Sequence, residues 1–453
     1  FSVMNLTEIA YGTWSGGKFM HFGKALEDDR FRDAIRLAYE SGIRTFITAD
    51  VYGVGRADSF LGEALEGIDR STYCLVGTIG HDFYSGQRTG NRGYPRFTDP
   101  DLRDASGYKD YVEMAVSKSL ERCKADKFDL VMLHNPDEIG YTSTAVWDAM
   151  VAAKDAGLTD RLGIAPGPAN GFTLDIVKNF EEFHEVLDWA MLILNPNEPW
   201  PSQLALPVAE KFGIDVLTRV ADYGGIFWGD VKPGHEFKPG DHRTYRPEGW
   251  VEHGYEKLTK MMPIAEKHGL TPIQLATIWN LSQTPVKSVV PTFIDEASNE
   301  TPYEDKIAEI VASPLDLRLS AEEVAEIGKI GDNTGCMTLK GASRRHQFSE
   351  RPDEWPMRDD LIEVAESYDR DRPLELNAIK TLSGHPRRIS TLAFSPSENY
   401  LASVDISGKV LLWDVAGETI GEQRGSSTMF VSGPPRMVFD GSAKRLFGYS
   451  AGE

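Results

Sequence analysis

Two side chains that can move protons each follow a short apolar stretch of the sequence. Tyr52 stands at the end of "TFITADVY", and His134 closes "DLVMLH". A phenol or an imidazole within hydrogen-bond reach of a substrate oxygen can donate or accept its proton. The two residues therefore indicate acid–base chemistry, provided that the fold brings both stretches to one edge of a sheet.

The elements that would bring them together alternate regularly up to about residue 300. Amphipathic helical stretches, such as "FRDAIRLAYESG" and "YVEMAVSKSLERC", have apolar residues every three to four positions. Eight apolar strand candidates alternate with such stretches: "EIAYGT", "TFITA", "STYCLVGTI", "DLVMLH", "LGIAP", "AMLILN", "DVLTRV" and "SVVPTF". This α/β pattern favours a closed parallel (β/α)8 TIM barrel, whose chemistry lies where strands end. An open doubly wound sheet is the alternative, but no G-x-G-x-x-G follows the first strand.

Four segments carry a family resemblance. "GTW", "TADVYGVGRADSFLGEAL", "DLVMLHNPD" and "GLTPIQLATIWNLSQTPVKSVVP" resemble the aldo-keto reductase family over roughly residues 6 to 310. The resemblance implies a TIM barrel that binds a nicotinamide cofactor without a Rossmann fold. It also implies carbonyl reduction by a tyrosine acid, a histidine, and a lysine–aspartate pair that lowers the pKa of the tyrosine.

The match at the catalytic positions is incomplete. Tyr52 falls on the family's proton donor and His134 on its carbonyl-orienting histidine, but Ile47 stands at the aspartate position and Thr78 at the lysine position. A free tyrosine titrates near 10, and a nearby ammonium would favour the phenolate. We therefore expect a degraded tetrad. Asp50 is three places from the aspartate position, so we do not expect its side chain to replace that carboxylate.

The predicted cofactor site draws on several strand ends. We expect a nicotinamide cofactor, NADP or NAD, to contact residues after the first, fifth and seventh strands: Gly12, Thr13, Trp14, Asn170 and Arg219. The loop "PTFIDEASNETPYED" after the eighth strand is rich in carboxylates, which disfavour a 2′-phosphate. Arg219 could bind an anionic group of a substrate or cofactor, or form an internal ion pair with Asp222. His81 and Asp82 are either a substitute acid–base pair or a solvated turn.

The sequence changes character towards its end. We expect the barrel with a C-terminal helical extension over 1–370, a linker over 371–378, and WD-repeat blades over 379–453. Gly384-His385 and Trp413-Asp414 are typical of one propeller blade, and Phe394 and Leu401 recur 45 residues later as Phe439 and Leu446. One and a half blades cannot close a propeller, so we expect the all-β region to be partial and the remaining blades to lie outside this chain.

Composition limits the partners. The formal net charge of −21 argues against non-specific binding to nucleic acid or an anionic membrane. No apolar run approaches the roughly 20 residues that span a bilayer. The three cysteines suggest a reducing compartment and have no metal-ligand spacing. We expect a cytoplasmic protein without a metal site, although the first residue, Phe1, leaves room for a removed signal segment.

Three hypotheses about function follow. The first is an aldo-keto reductase-like, NAD(P)-dependent oxidoreductase of a carbonyl or sugar, with Tyr52 and His134 as its catalytic residues. The second is a cofactor-independent sugar lyase or isomerase in the same pocket. The third is a non-catalytic barrel fused to a WD-repeat module that binds a protein partner.

Overall fold

A computed structural model gives the architecture of the chain. It divides into two compact units, Phe1–Arg372 and Pro373–Glu453. The structure describes residues 4–89, 93–167, 174–246, 248–296, 302–334, 359–370, 384–385, 389–395, 400–405, 407–414, 423–428, 435–439 and 446–450.

The first unit is an eight-stranded parallel barrel. Neighbouring strands pair in chain order from β1 to β8, and a parallel bridge between Ile9 and Val289 closes the ring. The TIM-barrel prediction is confirmed, and every predicted strand is present. The strands are β1 (Ala10–Gly12), β2 (Thr45–Ala49), β3 (Cys74–Ile79), β4 (Leu130–His134), β5 (Leu162–Ala165), β6 (Trp189–Ile193), β7 (Asp215–Arg219) and β8 (Val286–Val290).

Helices surround the barrel. They are α1 (Asp28–Glu40), α2 (Arg56–Ala64), α3 (Tyr108–Arg122), α4 (Glu138–Thr142), α5 (Thr144–Asp155), α6 (Ile176–Phe183), α7 (Ser202–Lys211), α8 (Trp250–Lys267), α9 (Pro272–Leu281), α10 (Tyr303–Val311), α11 (Ala321–Ile330) and α12 (Asp359–Arg370). Sequence reasoning missed the longest of them, α8. It contains Pro263, and an internal proline is normally read as a helix breaker.

Two apolar layers hold the barrel together. Alternate side chains of a strand point to opposite faces, so each strand contributes to the interior and to the layer beneath the helices. Ile47 belongs to the interior cluster, together with Val76, Met132 and Leu217. Ile47, at the family's aspartate position, is therefore part of the apolar core inside the barrel.

The second unit is all-β. Strands β9 (Ile389–Phe394), β10 (Tyr400–Asp405), β11 (Lys409–Asp414) and β12 (Gln423–Thr428) form one antiparallel sheet, and β13 (Pro435–Phe439) pairs with β14 (Leu446–Ser450). The 45-residue repeat is confirmed in the register, because Leu401 pairs with Phe394 and Leu446 pairs with Phe439.

Hydrogen bonds tie the blade's signature residues together. The hydroxyl of Ser403 contacts His385 Nε2 at 2.6 Å and accepts from Trp413 Nε1 at 2.8 Å. The predicted linker 371–378 lies outside the described residues. Among the described helices of the chain, none is both long and apolar enough to cross a membrane.

Candidate active site

Three aromatic side chains meet at the C-terminal end of the barrel. The ring of Trp14, just after β1, lies 4.4 Å from that of Tyr52, centroid to centroid. The ring of Tyr52 meets His134 at 5.7 Å, edge to face. The structure thus brings together the two residues predicted to be catalytic and one of those predicted to bind the cofactor.

Tyr52 is held in the protonated state. Its side chain is partly exposed, and its hydroxyl makes no hydrogen bond to the described residues. Desolvation by the surrounding protein raises the pKa of Tyr52 to about 12, with Arg219 lowering and Asp50 raising the pKa in smaller measure. The hydroxyl is therefore a proton-bearing group that is free to meet a substrate oxygen.

His134 is a neutral imidazole. It is buried, and its Nδ1 has no hydrogen-bond partner among the described residues. Burial lowers the pKa of His134 well below its usual value, and His81, Arg219 and Arg96 lower it further. A neutral ring can donate one hydrogen bond without carrying charge, which suits a residue that orients a carbonyl oxygen.

His81 supports His134 from behind. Its ring lies 5.1 Å from that of His134, and its two nitrogens contact the Asn135 amide and the Arg96 guanidinium, each at 3.1 Å. Burial lowers the pKa of His81 to about 3. Sequence reasoning did not find this network, because Arg96 carries no motif of its own.

Both interpretations of the His81-Asp82 pair are wrong. Asp82 is fully buried and pairs with Arg103 at 2.5 Å, and its carboxylate also accepts from the backbone amides of Tyr84 and Ser85. A carboxylate engaged in this way anchors a loop. It is neither solvated nor oriented towards the ring of His81, whose nitrogens are taken by other groups.

Arg219, at the end of β7, is a cation without an ion-pair partner in the described parts of the chain. One terminal nitrogen donates to the Pro166 carbonyl at 2.7 Å, while its Nε is buried with no acceptor. Burial lowers the pKa of Arg219, against the opposing effect of Tyr52. The internal pair with Asp222 is not formed, since that carboxylate accepts from the backbone amides of Gly225 and Thr292.

The substituted tetrad positions contain no cation. The Thr78 hydroxyl donates to the Thr48 carbonyl at 3.1 Å. Asp50 is fully buried, and neither carboxylate oxygen makes a hydrogen bond of normal geometry. Burial and the neighbouring Asp58 carboxylate raise its pKa well above the usual range. Asp58 belongs to α2 and pairs with Arg122 of α3, so Asp50 interacts with the helix layer outside the barrel wall.

The other predicted cofactor residues differ in availability. The side chain of Thr13 is fully buried and bonds the Thr48 hydroxyl at 3.2 Å, which removes it from the mouth. A Cβ on Gly12 would approach Val290 at 3.2 Å, so this position packs closely against β8. Asn170 lies outside the described residues.

The loops after β7 and β8 are joined by buried ion pairs. Arg243 is 1 % exposed and bonds both Asp241 and Glu296, and Lys306 pairs with Asp230 at 2.5 Å. These cations are already neutralised. Arg243, which follows β7, thus connects the loop after β7 to Glu296 in the acidic loop after β8.

Backbone strain concentrates at the same mouth. Five described non-glycine residues have a left-handed φ, and three of them follow a site residue closely: Val54, Asn135 and Val220. Two of these three are β-branched, for which such a conformation costs of order 1–3 kcal/mol. Strained residues of this kind cluster at functional sites, so the backbone and the side chains indicate the same location.

Comparison with known proteins agrees with this geometry. The model of the aldo/keto reductase family matches residues 8–332. The chain belongs to the aldo/keto reductase family. A WD domain, G-beta repeat, matches residues 376–414, which confirms the expected WD-repeat region.

Individual relatives of the family are distant. A probable voltage-gated potassium channel subunit beta from Oryza sativa subsp. japonica is 23% identical over 297 residues, covering 64% of this chain and 84% of that protein. The structure of glycerol dehydrogenase AKR11B4 from Gluconobacter oxydans has a TM-score of 0.56 at 23% identity, covering 72% of this chain and 91% of its own. Aldo-keto reductase AKR11C1 from Bacillus halodurans, in its holo form, has a TM-score of 0.53 at 20% identity, covering 73% and 93%. These structural likenesses support the shared fold.

Proposed function

We propose that the barrel is a nicotinamide-dependent oxidoreductase that reduces a carbonyl group, or oxidises the corresponding alcohol, at Tyr52 and His134. The observation that carries this proposal is the edge-to-face contact of Tyr52 and His134 at 5.7 Å. It places an unbonded phenol beside a neutral imidazole at the end of the barrel where enzymes of this fold bind substrates.

The residues at the mouth fit the nicotinamide end of such a cofactor. Trp14 offers a flat, partly exposed ring beside Tyr52. The cofactor would lie against the segment after β1 and would supply the hydride. At the adenosine end, the described loop after β8 offers Asp295, while Glu296 is buried and paired with Arg243. The loop therefore does not decide between NAD and NADP.

The protein's part in the reaction is to handle the oxygen. As the carbonyl carbon gains a hydride, its oxygen gains negative charge and takes the proton of Tyr52. The neutral His134 donates a hydrogen bond to the same oxygen and fixes its direction. Because no lysine stands at Thr78, the proton donor is weaker than the family's arrangement provides.

The lyase or isomerase hypothesis is less well supported. Abstraction of a proton from a sugar needs a base whose pKa lies near the working pH. The pKa values of His134 and His81 are both lowered, which makes them weak bases. Asp50 is fully buried, so its carboxylate is not exposed at the mouth.

The domain division is a proposal as well. A barrel with its helical extension over 1–370, a linker over 371–378 and WD-repeat blades over 379–453 is supported by the two compact units. We propose that the blades bind a protein partner, because a WD domain, G-beta repeat, matches residues 376–414.

The substitution Tyr52→Phe tests the proposal. Removal of the proton donor should lower kcat for carbonyl reduction by about 10²- to 10⁴-fold, without a comparable change in cofactor affinity. Steady-state kinetics on a panel of aldehydes and sugars, with NADH and NADPH, would measure it. Tyr39→Phe is the matched control, because it removes a phenol hydroxyl from α1, away from the mouth. An equal loss of kcat in this control would contradict the assignment.

A further inference from the structure

We infer that Arg219 is an anion-binding residue of the active site, and that the substrate carries a carboxylate close to its reacting carbonyl. This inference rests on the proposed function, because it names the substrate class of the same site. Its chemistry is that of a 2-oxo acid, an aldehyde acid or a sugar acid.

The first argument is the missing counter-charge. Several partly exposed cations of the barrel pair with carboxylates, as Arg103 does with Asp82 and Arg122 with Asp58. Among the described residues, Arg219 bonds a single backbone carbonyl and has a buried Nε without an acceptor. A charge removed from water without a partner is costly. The described residues therefore leave this guanidinium half-satisfied, and an incoming carboxylate would complete it with two parallel hydrogen bonds.

A second cation at the mouth provides the contrast. The guanidinium of Arg96 donates to the Asn135 and Tyr94 carbonyls and contacts Nδ1 of His81. Its capacity is used within the protein, so it has a structural role. Arg219 has no such set of acceptors.

The carboxylate of Glu198 does not pair with Arg219. Glu198 raises the pKa of Arg219, but the two form no ion pair. One of its oxygens accepts from Asn195 at 2.9 Å. Glu198 therefore stabilises the charged form of Arg219 without hydrogen bonding to its guanidinium.

The position of Arg219 identifies what it would bind. A Cβ added to Gly167, after β5, would meet Arg219 at 2.5 Å and Asn135 at 2.3 Å. Arg219 therefore approaches the residue that directly follows His134, with only a glycine between them. An anion on Arg219 would lie beside the oxygen-binding pair of Tyr52 and His134, which is where a carboxylate attached to the reacting carbonyl would lie.

The same guanidinium chemistry would suit the pyrophosphate of a dinucleotide. We commit to the substrate carboxylate, because Arg219 lies beside the residues that meet the reacting oxygen. The two sources make different predictions for one variant, which an experiment on the full chain can separate.

The experiment compares the wild-type chain with Arg219→Gln, Arg219→Lys and the control Arg36→Gln, whose arginine lies on the exposed face of α1. Kinetics use matched pairs in which the carboxylate is close to the carbonyl, glyoxylate against acetaldehyde and 4-oxobutanoate against butanal. Succinate binding, followed by tryptophan fluorescence without any cofactor, is the readout that is independent of turnover.

We expect Arg219→Gln to lower kcat/KM for the charged members by about 10- to 100-fold more than for the uncharged members, as for the loss of a charge-assisted hydrogen bond. Arg219→Lys should retain part of the effect, and Arg36→Gln should retain all activity. Loss of succinate binding in Arg219→Gln supports the inference even if no carbonyl in the panel is reduced. Equal losses on charged and uncharged substrates, or weakened NADH and NADPH binding with succinate binding unchanged, would overturn it.

Discussion

The barrel mouth and the joined loops after β7 and β8 use buried charge in opposite ways. In the loops, Arg243 is matched by two carboxylates and Lys306 by a third. At the mouth, within the described parts of the chain, Arg219 has one backbone acceptor and His134 Nδ1 has no hydrogen-bond partner. Matched charges hold segments in place. Polar groups without a partner can form hydrogen bonds to a ligand. For this reason we propose that the mouth is the active site.

The largest effect on stability should come from the joined loops. Arg243→Met would leave Asp241 and Glu296 buried without their cation, which typically costs about 3–5 kcal/mol. Urea unfolding of the full chain measures the change. The control Arg36→Met removes only a surface pair with Glu40 and should cost less than about 1 kcal/mol. Similar costs for the two variants would mean that these loops do not depend on their ion pairs.

Restoring the family's missing pair should sharpen the mouth. In the double variant Ile47→Asp and Thr78→Lys, a lysine beside Tyr52 would lower the pKa of the phenol. The gain in kcat should be of order 10-fold or more, as part of the 10²- to 10⁴-fold that acid catalysis provides. Thr78→Lys alone should gain less and be less stable, because its ammonium would lack the carboxylate. An inactive but folded double variant would indicate that the mouth no longer supports this chemistry.

The smallest effect concerns pH. Reduction requires the protonated form of Tyr52, whose pKa is raised to about 12, so this residue stays protonated as pH rises through the neutral range. His134 has a lowered pKa and stays neutral over the same range. We expect kcat for reduction to be nearly flat from about pH 6 to 9, and the double variant to lose activity at the alkaline end. Rate profiles of both proteins check this, and a wild-type fall near neutral pH would identify a different acid.

Sequence alone predicted the parts of the site that depend on strand ends. The family resemblance singled out Tyr52 and His134, and the closed barrel brings the strand ends before them together. The environment of Arg219 could not be read from the sequence, since Asp222 is only three residues away yet bonds other groups. His81 was misjudged for the same reason, because its partners Arg96 and Asn135 are distant in the chain. Helix α8 was missed because Pro263 interrupts its pattern.

The most direct test of the central claim is a fluorescence titration of the full chain with NADH and with NADPH, in the wild type and in Tyr52→Phe. Trp14 lies 4.4 Å from Tyr52, so a cofactor at the mouth should quench tryptophan emission. The account predicts saturable micromolar binding of at least one cofactor to both proteins, with carbonyl-dependent oxidation of the bound cofactor in the wild type. No binding up to millimolar concentration would contradict the oxidoreductase assignment.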